Sequence, residues 1–301
     1  MRLRSGGVGM KKPRFELKMT KRRRTALIGY SFLALWIIGF FVFTLYPVFL
    51  SGKISLSKLE LGLNGIEYTF SGFTFFKRAF VKDASFLPKL LESLGFICYA
   101  TPIIVIIALL LALMLKNDYK GRGIFRTIFF MPVVIMSGPI ISELLGKYSV
   151  DFTEASPALF SFIQMLPEVF KSPCMFVMEN LVTVLWYSGV QILILLVAIQ
   201  KISPELYEAA SIDGASGWEM FWKITLPYTM PTILVCALYT VIELANDSTN
   251  AVNVYIASKM FDHKLGYYSY STAMAWIYTG AIVIILLFIF ALMKFFQRKE
   301  R

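Results

Sequence analysis

One histidine, at position 263, and three cysteines are all that this 301-residue sequence offers toward metal chemistry or disulfides. A single imidazole excludes both a histidine-based metal site and a catalytic triad within the chain. Cys98 and Cys236 fall inside apolar runs and Cys174 stands alone in a polar stretch, so neither a disulfide framework nor a metal cluster is implied. No Gly-x-x-x-x-Gly-Lys-Ser/Thr phosphate loop occurs, which excludes an ATPase in this chain, and there is neither an internal repeat nor a low-complexity tract. Charge is scarce as well. Only 16% of the residues are charged and 57% are hydrophobic, with a mean hydropathy of +0.66. Soluble domains carry about 25% charged residues; this composition belongs to a membrane protein and excludes a disordered or collagen-like chain.

The charge that is present is mostly positive, 30 Lys+Arg against 19 Asp+Glu. In a soluble protein a net +11 would raise the question of nucleic acid. In a polytopic chain it is accounted for by basic cytoplasmic loops, so membrane lipids and no nucleic acid are the expected partners. The uncharged stretches are 25–52, 93–115, 127–142, 181–200, 224–242 and 265–293. A helix needs about 20 residues to cross a bilayer, and four of the six meet that unaided. The third lengthens over Leu144 and Leu145 if Glu143 is accommodated, and the fifth is expected to start after Pro231 and run past Glu243. The expected class is therefore an all-α membrane protein with six transmembrane helices.

Lys21, Arg22, Arg23 and Arg24 precede the first stretch as they would a signal peptide, but signal cores run only about 7–15 residues. This stretch is longer, ends in Tyr46-Pro47-Val48-Phe49, and reads as a retained helix. The sequence divides into a basic cytoplasmic N-terminal segment, 1–24, and a transmembrane domain, 25–301. With six crossings, 20 Lys+Arg lie on the side of the termini and ten opposite, which predicts cytoplasmic N- and C-termini. The loop at 53–92 is broken into turn-like pieces by Gly62, Asn64, Gly65, Ser71 and Gly72. The loop at 146–180 carries Pro157, Pro167 and Pro173, and its apolar patch at 159–163 suits a short interfacial helix.

The stretch between the fourth and fifth spans has helical punctuation of its own. Ser203 is placed to cap a helix, Pro204 suits its first position and Glu205 its positive end. Glu208, Ala209, Ala210 and Ser211 continue it, and Asp213-Gly214 ends it with a residue that tolerates positive φ. Ser216 and Glu219 form a capping box for a second short helix through Trp218, Phe221 and Trp222, which Pro227 and Pro231 are expected to stop. The physics alone gives a knob suited to insertion into another protein, or an amphipathic linker on the inner leaflet.

At these residues the sequence resembles a known family. Glu208-Ala209-Ala210, Asp213-Gly214-Ala215, Trp218, Phe221, Ile224, Leu226-Pro227 and Pro231 look like the EAA loop of binding-protein-dependent ABC importer permeases, in its carbohydrate version. Tyr46-Pro47 closing the first helix, Gly123-Ile124-Phe125-Arg126, Met131-Pro132 and the run from Gly266 to Gly280 extend the likeness, as does the long first outside loop, toward the larger maltose permease and the glycerol-phosphate permease. The resemblance implies the type I importer permease fold, with coupling through the loop at 203–227 and its Glu208, Ala209, Ala210, Asp213 and Gly214. It implies a prokaryotic inner-membrane protein that performs no catalysis. Its partners would be a second permease subunit, two ATP-binding subunits that hold ATP and Mg, and an extracytoplasmic solute-binding protein. The region 246–264 departs from the Gly-Gly-Pro stretch common in the family, and a tryptophan often found near the outer end of the third helix is missing. These departures leave the substrate open between a sugar and a solute such as a glycerol-phosphate-like compound. A secondary transporter would call for an inverted repeat, which is missing, and a membrane scaffold for a partner ATPase stays open.

Carboxylates within spans are expensive. Glu143 can be solvated near the outer end of the third helix or paired with Lys147. Glu243 is deeper, and Tyr239, Glu243 and Asn246 recur at i, i+4 and i+7 with Asp247 beside them. Hydroxyl-rich ligands are held by carboxylates, amides and aromatic platforms, so this face is a candidate sugar path, with a structural role for Glu243 as the alternative. Tyr187, Trp276 and Tyr278 are aromatic candidates on other helices, where membrane-interface belts compete as an explanation.

Overall fold

In lipid, an uncharged run can satisfy its backbone only as a helix or a closed barrel. The computed structural model describes residues 21–62, 65–116, 123, 161, 163–261 and 266–299. Five stretches among them are helical, long and apolar enough to cross a membrane: Gly29–Ser55, Phe86–Lys116, Thr183–Gln200, Gly217–Ala245 and Tyr268–Phe295. They correspond to five of the six uncharged stretches. The third expected span, 127–142, lies outside the described residues, as do Glu143, Lys147, His263 and most of the apolar patch at 159–163.

The first helix, α1 (Lys21–Phe40), continues through a π turn at Phe41–Leu45 into α2 (Tyr46–Ser55). The helix through residue 53 and the remainder from Ile54 on are separate packing units. Where the sequence suggested only turns, an antiparallel hairpin forms. Its strands β1 (Ser57–Gly62) and β2 (Gly65–Phe70) pair in the register Ser57 with Phe70 and Glu60 with Glu67. Gly65, which opens β2 opposite Gly62, adopts φ +121°, a backbone conformation open to glycine. The short α3 (Thr74–Val81) follows, then α4 (Phe86–Lys116), which starts seven residues before the uncharged stretch does. Asp83 sets that start: its Oδ1 accepts from the backbone N–H of Ser85 (2.9 Å) and of Phe86 (3.1 Å).

Another helix not anticipated from the sequence, α5 (Glu168–Glu179), precedes α6 (Leu181–Gln200). The loop helices are α7 (Pro204–Ile212) and α8 (Gly217–Met220). A second π turn, Phe221–Thr225, carries α8 without a break into α9 (Leu226–Ala245). Then come α10 (Ala251–Met260) and α11 (Gly266–Lys299).

The expectations that Tyr46-Pro47 closes the first helix and that Pro227 and Pro231 stop the second loop helix are both corrected, for one reason. A helical proline lacks an N–H and pushes its ring against the carbonyl four residues back. In each case a π turn sits where that clash would fall. The N–H of Tyr46 bonds to the Phe41 carbonyl and that of Leu226 to the Phe221 carbonyl, five residues back, immediately before Pro47 and Pro227. The hydroxyl of Thr229 also donates to the carbonyls of Thr225 (2.8 Å) and Leu226 (3.2 Å). The fifth span therefore begins in the loop helix itself and not after Pro231.

Two apolar clusters hold the unit from Ile54 on together. Toward one end of α4, Phe86, Leu90, Ile97 and Ile104 pack with Phe75 and Ala79 of α3, Val184 of α6, Leu244 of α9 and Tyr270 and Met274 of α11. Toward its other end, Ala108, Ala112 and Leu115 pack with Ile192, Leu195 and Ile199 of α6 and with Cys236 of α9. At the first end Asp83 also accepts from the hydroxyls of Tyr255 on α10 (2.8 Å) and Tyr270 on α11, so one carboxylate ties two helices to the start of α4. Partial burial raises its pKa, but the hydrogen bonds from Tyr270, Tyr255 and the two backbone N–H groups outweigh it and hold Asp83 below the usual carboxylate range.

Candidate coupling loop and substrate path

The loop knob is built by local rules. Pro204 occupies the first turn of α7 after Ser203, whose backbone takes the cap conformation although its hydroxyl makes no capping bond. Gly214 adopts φ +81°, with its N–H bonded to the Ser211 carbonyl (3.1 Å) and the N–H of Ala215 to the Ala210 carbonyl (2.9 Å). That pair of bonds is a Schellman ending, which needs a residue at ease with positive φ. Asp213, one position earlier, closes the last turn through its N–H to the Ala209 carbonyl (3.0 Å). The capping box is complete: the Ser216 hydroxyl accepts from the Glu219 N–H (3.3 Å), and the Glu219 carboxylate accepts from the Ser216 N–H (2.9 Å).

This knob shows an apolar surface. Ile212 is 86% exposed and Trp218 70% exposed, although Trp218, Phe221 and Trp222 pack against one another, mostly edge to face, with centroids 5.3–6.2 Å apart. Glu208 and Ala209 are exposed beside them and Ala210 is half-buried. Tyr207, which the sequence reading passed over, fastens the knob to the spans. Its hydroxyl hydrogen-bonds the Thr225 hydroxyl in the π turn (2.8 Å), and Lys116 at the end of α4 sits 3.8 Å from its ring centroid. A lone aromatic in a small-residue helix was the available signal. Since α4 and α6 both end at this knob, they run in the same direction.

Tyr239, Glu243 and Asn246 share one face of α9 and its end, but their side chains serve different partners. Glu243 turns toward α6, where the side-chain amide of the fully buried Gln191 donates to its carboxyl (3.3 Å) and to the Thr240 hydroxyl (2.8 Å). The carbonyl oxygen of that amide is buried and has no partner among the described residues. Asn246 folds back onto its own helix, donating to the Ile242 carbonyl (2.9 Å). Tyr239 is 37% exposed. Asp247 accepts from the Tyr187 hydroxyl (2.7 Å) and from the N–H and hydroxyl of Thr249 (2.9 Å each), so it braces the turn between α9 and α10. Asn253 braces the same turn by donating to the carbonyls of Ala245 (2.8 Å) and Asp247 (2.7 Å).

Two cavities flank this turn. A polar one of about 310 Å³ is lined by Glu92, Ser93, Asn180, Thr183, Asp247 and Asn250, among others. A mainly apolar one of about 460 Å³ lies between α9, α10 and α11 and takes in Asn246 and Tyr278. Trp276 is half-buried and lines neither, whereas Tyr278 is buried at the junction, its hydroxyl donating to the Ala245 carbonyl (3.2 Å). The sequence search looked for carboxylates in spans and so missed Gln191, Thr240, Asn180 and Thr183. Uncharged polar side chains within a hydrophobic run were the signal for them.

A bundle of membrane-spanning helices with a capped helical knob on one end and a polar cluster inside is an arrangement met in known proteins. Residues 79–301 match the family described as binding-protein-dependent transport system inner membrane component. The chain belongs to this family. Among its relatives, the probable ABC transporter permease YesP of Bacillus subtilis is 27% identical over 92% of this chain and 94% of its own length. The lactose transport system permease LacF of Rhizobium radiobacter is 26% identical over 91% of this chain and 94% of its own. Among solved structures, a chain of a bacterial alginate ABC transporter, crystallised with an alginate pentasaccharide-bound periplasmic protein, shares the fold. It has a TM-score of 0.62 over 89% of this chain and 94% of that one, at 22% identity. The chain is a multi-pass membrane permease subunit with the importer permease fold.

Proposed function

We propose that this permease subunit translocates a neutral sugar or oligosaccharide through a pathway bordered by Glu243 and by the polar cavity beside the turn between α9 and α10, with Gln191 and Thr240 supporting Glu243 from within the bundle. The observation that carries the reading is the polar cavity beside the turn between α9 and α10, with the half-buried Glu243 carboxyl near it held from behind by the fully buried Gln191. Sugar hydroxyls are bound by carboxylates, amides and hydroxyls of this kind. The polar cavity near the same helices adds Asn180, Thr183, Glu92 and Asp247, two amide- or hydroxyl-bearing groups and two carboxylates, and none of its lining residues is basic. A phosphate-bearing solute would call for Arg or Lys there, which speaks against a glycerol-phosphate-like compound. Lactose, and arabinooligosaccharides in the Bacillus subtilis permease AraP, are substrates that the names of relatives carry, and they fit this chemistry.

The rest of the machine is proposed on the family and on the knob. A second permease would complete the pathway, a solute-binding protein would deliver substrate at the end away from the knob, and two ATP-binding subunits holding ATP and Mg would dock on residues 203–227. Glu208 and Gly214 keep the knob charged and turned, Ala209 and Ala210 let a partner approach closely, and Asp213 closes the helix. Tyr207 then passes the motion to Lys116 and Thr225. Both termini are cytoplasmic in this scheme, and a protease added to intact cells should leave an N-terminal tag uncut; cleavage there would reverse the orientation. For the substrate class, the complex purified through this chain should hydrolyse ATP faster with a neutral oligosaccharide and its binding protein. Stimulation by glycerol phosphate in place of the sugar would refute the assignment.

A further inference from the structure

The segment between the first two spans is unusually basic for its position. Residues 53–92 hold Lys53, Lys58, Lys77, Arg78, Lys82 and Lys89, six of the ten Lys+Arg counted on the side opposite the termini, where basic residues are ordinarily sparse. Half of them gather on α3 and the residue after it. Thr74, Lys77, Arg78, Val81 and Lys82 recur at i, i+3, i+4, i+7 and i+8 and line one open groove of about 660 Å³. None of these lining residues is acidic. Asp83, the adjacent carboxylate, has both oxygens taken up by Tyr255, Tyr270 and the N–H groups of Ser85 and Phe86.

The groove adjoins the first residues of two of the spans. On its inner side α3 buries Phe75 and Ala79 in the cluster shared with α4 and α11. Arg78 stacks 4.7 Å from the ring centroid of Tyr270, near the first residues of the span Tyr268–Phe295. The α4 span begins five residues after Val81, and the knob with Tyr207 is at the other end of α4. Beside the basic stripe, Phe73 is 74% exposed, Phe80 51% and Val81 71%. In water such rings would be costly, whereas an interfacial helix sinks them into the boundary of the acyl chains and keeps its cations among the headgroups.

We infer that the α3 groove binds the headgroup of an anionic phospholipid, held by Lys77 and Lys82 with Arg78 between them and anchored by Phe73 and Phe80. The bound lipid would fix α3, and with it the Asp83 junction, against the membrane surface. Charge chooses the lipid: each cation near an anionic surface contributes about fivefold in affinity, and the exposed aromatic flank favours a ligand with acyl chains over a soluble anion. This inference does not depend on what the permease carries.

The test is local, because other basic segments of the chain also attract anionic lipid. The full chain, with Cys98, Cys174 and Cys236 changed to alanine and a fluorophore on Val81→Cys, is reconstituted in phosphatidylcholine vesicles. Nitroxide-bearing phosphatidylglycerol or nitroxide-bearing phosphatidylcholine is then added as quencher. Phosphatidylglycerol should quench at roughly tenfold or more lower mole fraction than phosphatidylcholine, and the preference should weaken as salt is raised. Lys77→Gln with Lys82→Gln should remove most of that preference, and Lys77→Arg with Lys82→Arg should retain it. Both pairs leave Arg78 and its contact with Tyr270 in place. Equal quenching by the two lipids, or a preference that survives the glutamine pair, overturns the proposal. So does headgroup-blind quenching together with a response to the solute-binding protein, which would make the groove a protein dock.

Discussion

Glu208→Ala is expected to leave the permease inserted and folded while reducing ATP-driven uptake by about tenfold to a hundredfold. The side chain is exposed on α7, and no interaction within the described residues depends on it strongly enough to threaten the fold. A charge-assisted bond to a basic residue of the ATP-binding subunit would be worth about 1.5–3 kcal/mol, and its loss accounts for that range. Gly214→Val belongs to the same experiment. A Cβ at this position would meet nothing within 4 Å, so bulk is not the obstacle; the obstacle is φ +81°, which a β-branched residue adopts only at about 1–3 kcal/mol of strain. Gly214→Val should therefore weaken docking more than Gly214→Ala does. The measurement is co-purification of the ATP-binding subunit together with sugar-stimulated hydrolysis. Full docking and stimulation in both Glu208→Ala and Gly214→Val would remove the knob as the coupling element.

The second large effect is expected inside the bundle. Gln191→Leu removes the buried amide that donates to both Glu243 and Thr240 and so positions the Glu243 carboxyl. Glu243→Gln keeps the shape and removes the acidic acceptor. Each should raise the sugar concentration for half-maximal uptake by roughly tenfold or more, the cost of one or two hydrogen bonds at a buried site. Docking of the ATP-binding subunit should be unchanged, because Gln191 lies in mid-span and Glu243 at the end of its span away from the knob. Tyr239→Ala, at a side chain more than a third exposed and outside the Gln191 cluster, should have the smaller effect. Uptake kinetics of each variant check the ordering, and normal kinetics in Gln191→Leu and Glu243→Gln would assign the cluster to packing alone.

How much of this was legible in advance depends on the range of the interaction concerned. The spans could be read because a bilayer imposes one length and one chemistry, and the knob because caps, a Schellman glycine and a capping box are local events within four or five residues. Prolines misled the reading. Pro47 and Pro227 are terminators by local rules, and only the π turns at Phe41–Leu45 and Phe221–Thr225 let the helices run on. The hairpin at 57–70 is hidden because Gly62 and Gly65 read as breaks, whereas they pair with each other at the ends of the two strands. In the candidate path, Tyr239, Glu243 and Asn246 do share a helical spacing. Which of them meets α6 was decided by Gln191, a partner 52 residues away that no spacing rule reaches. Tyr187 was singled out as an aromatic platform, yet its hydroxyl is committed to Asp247, a contact across 60 residues.

The central claim is that this chain carries a sugar through the membrane under the control of ATP and a binding protein. It is tested most directly by uptake of a radiolabelled neutral oligosaccharide into proteoliposomes holding the complex purified through this chain. The account predicts uptake only when ATP is supplied on the side of the knob and the sugar-loaded binding protein on the opposite side. Uptake that proceeds without ATP on an ion gradient, or that ignores the binding protein, would contradict it.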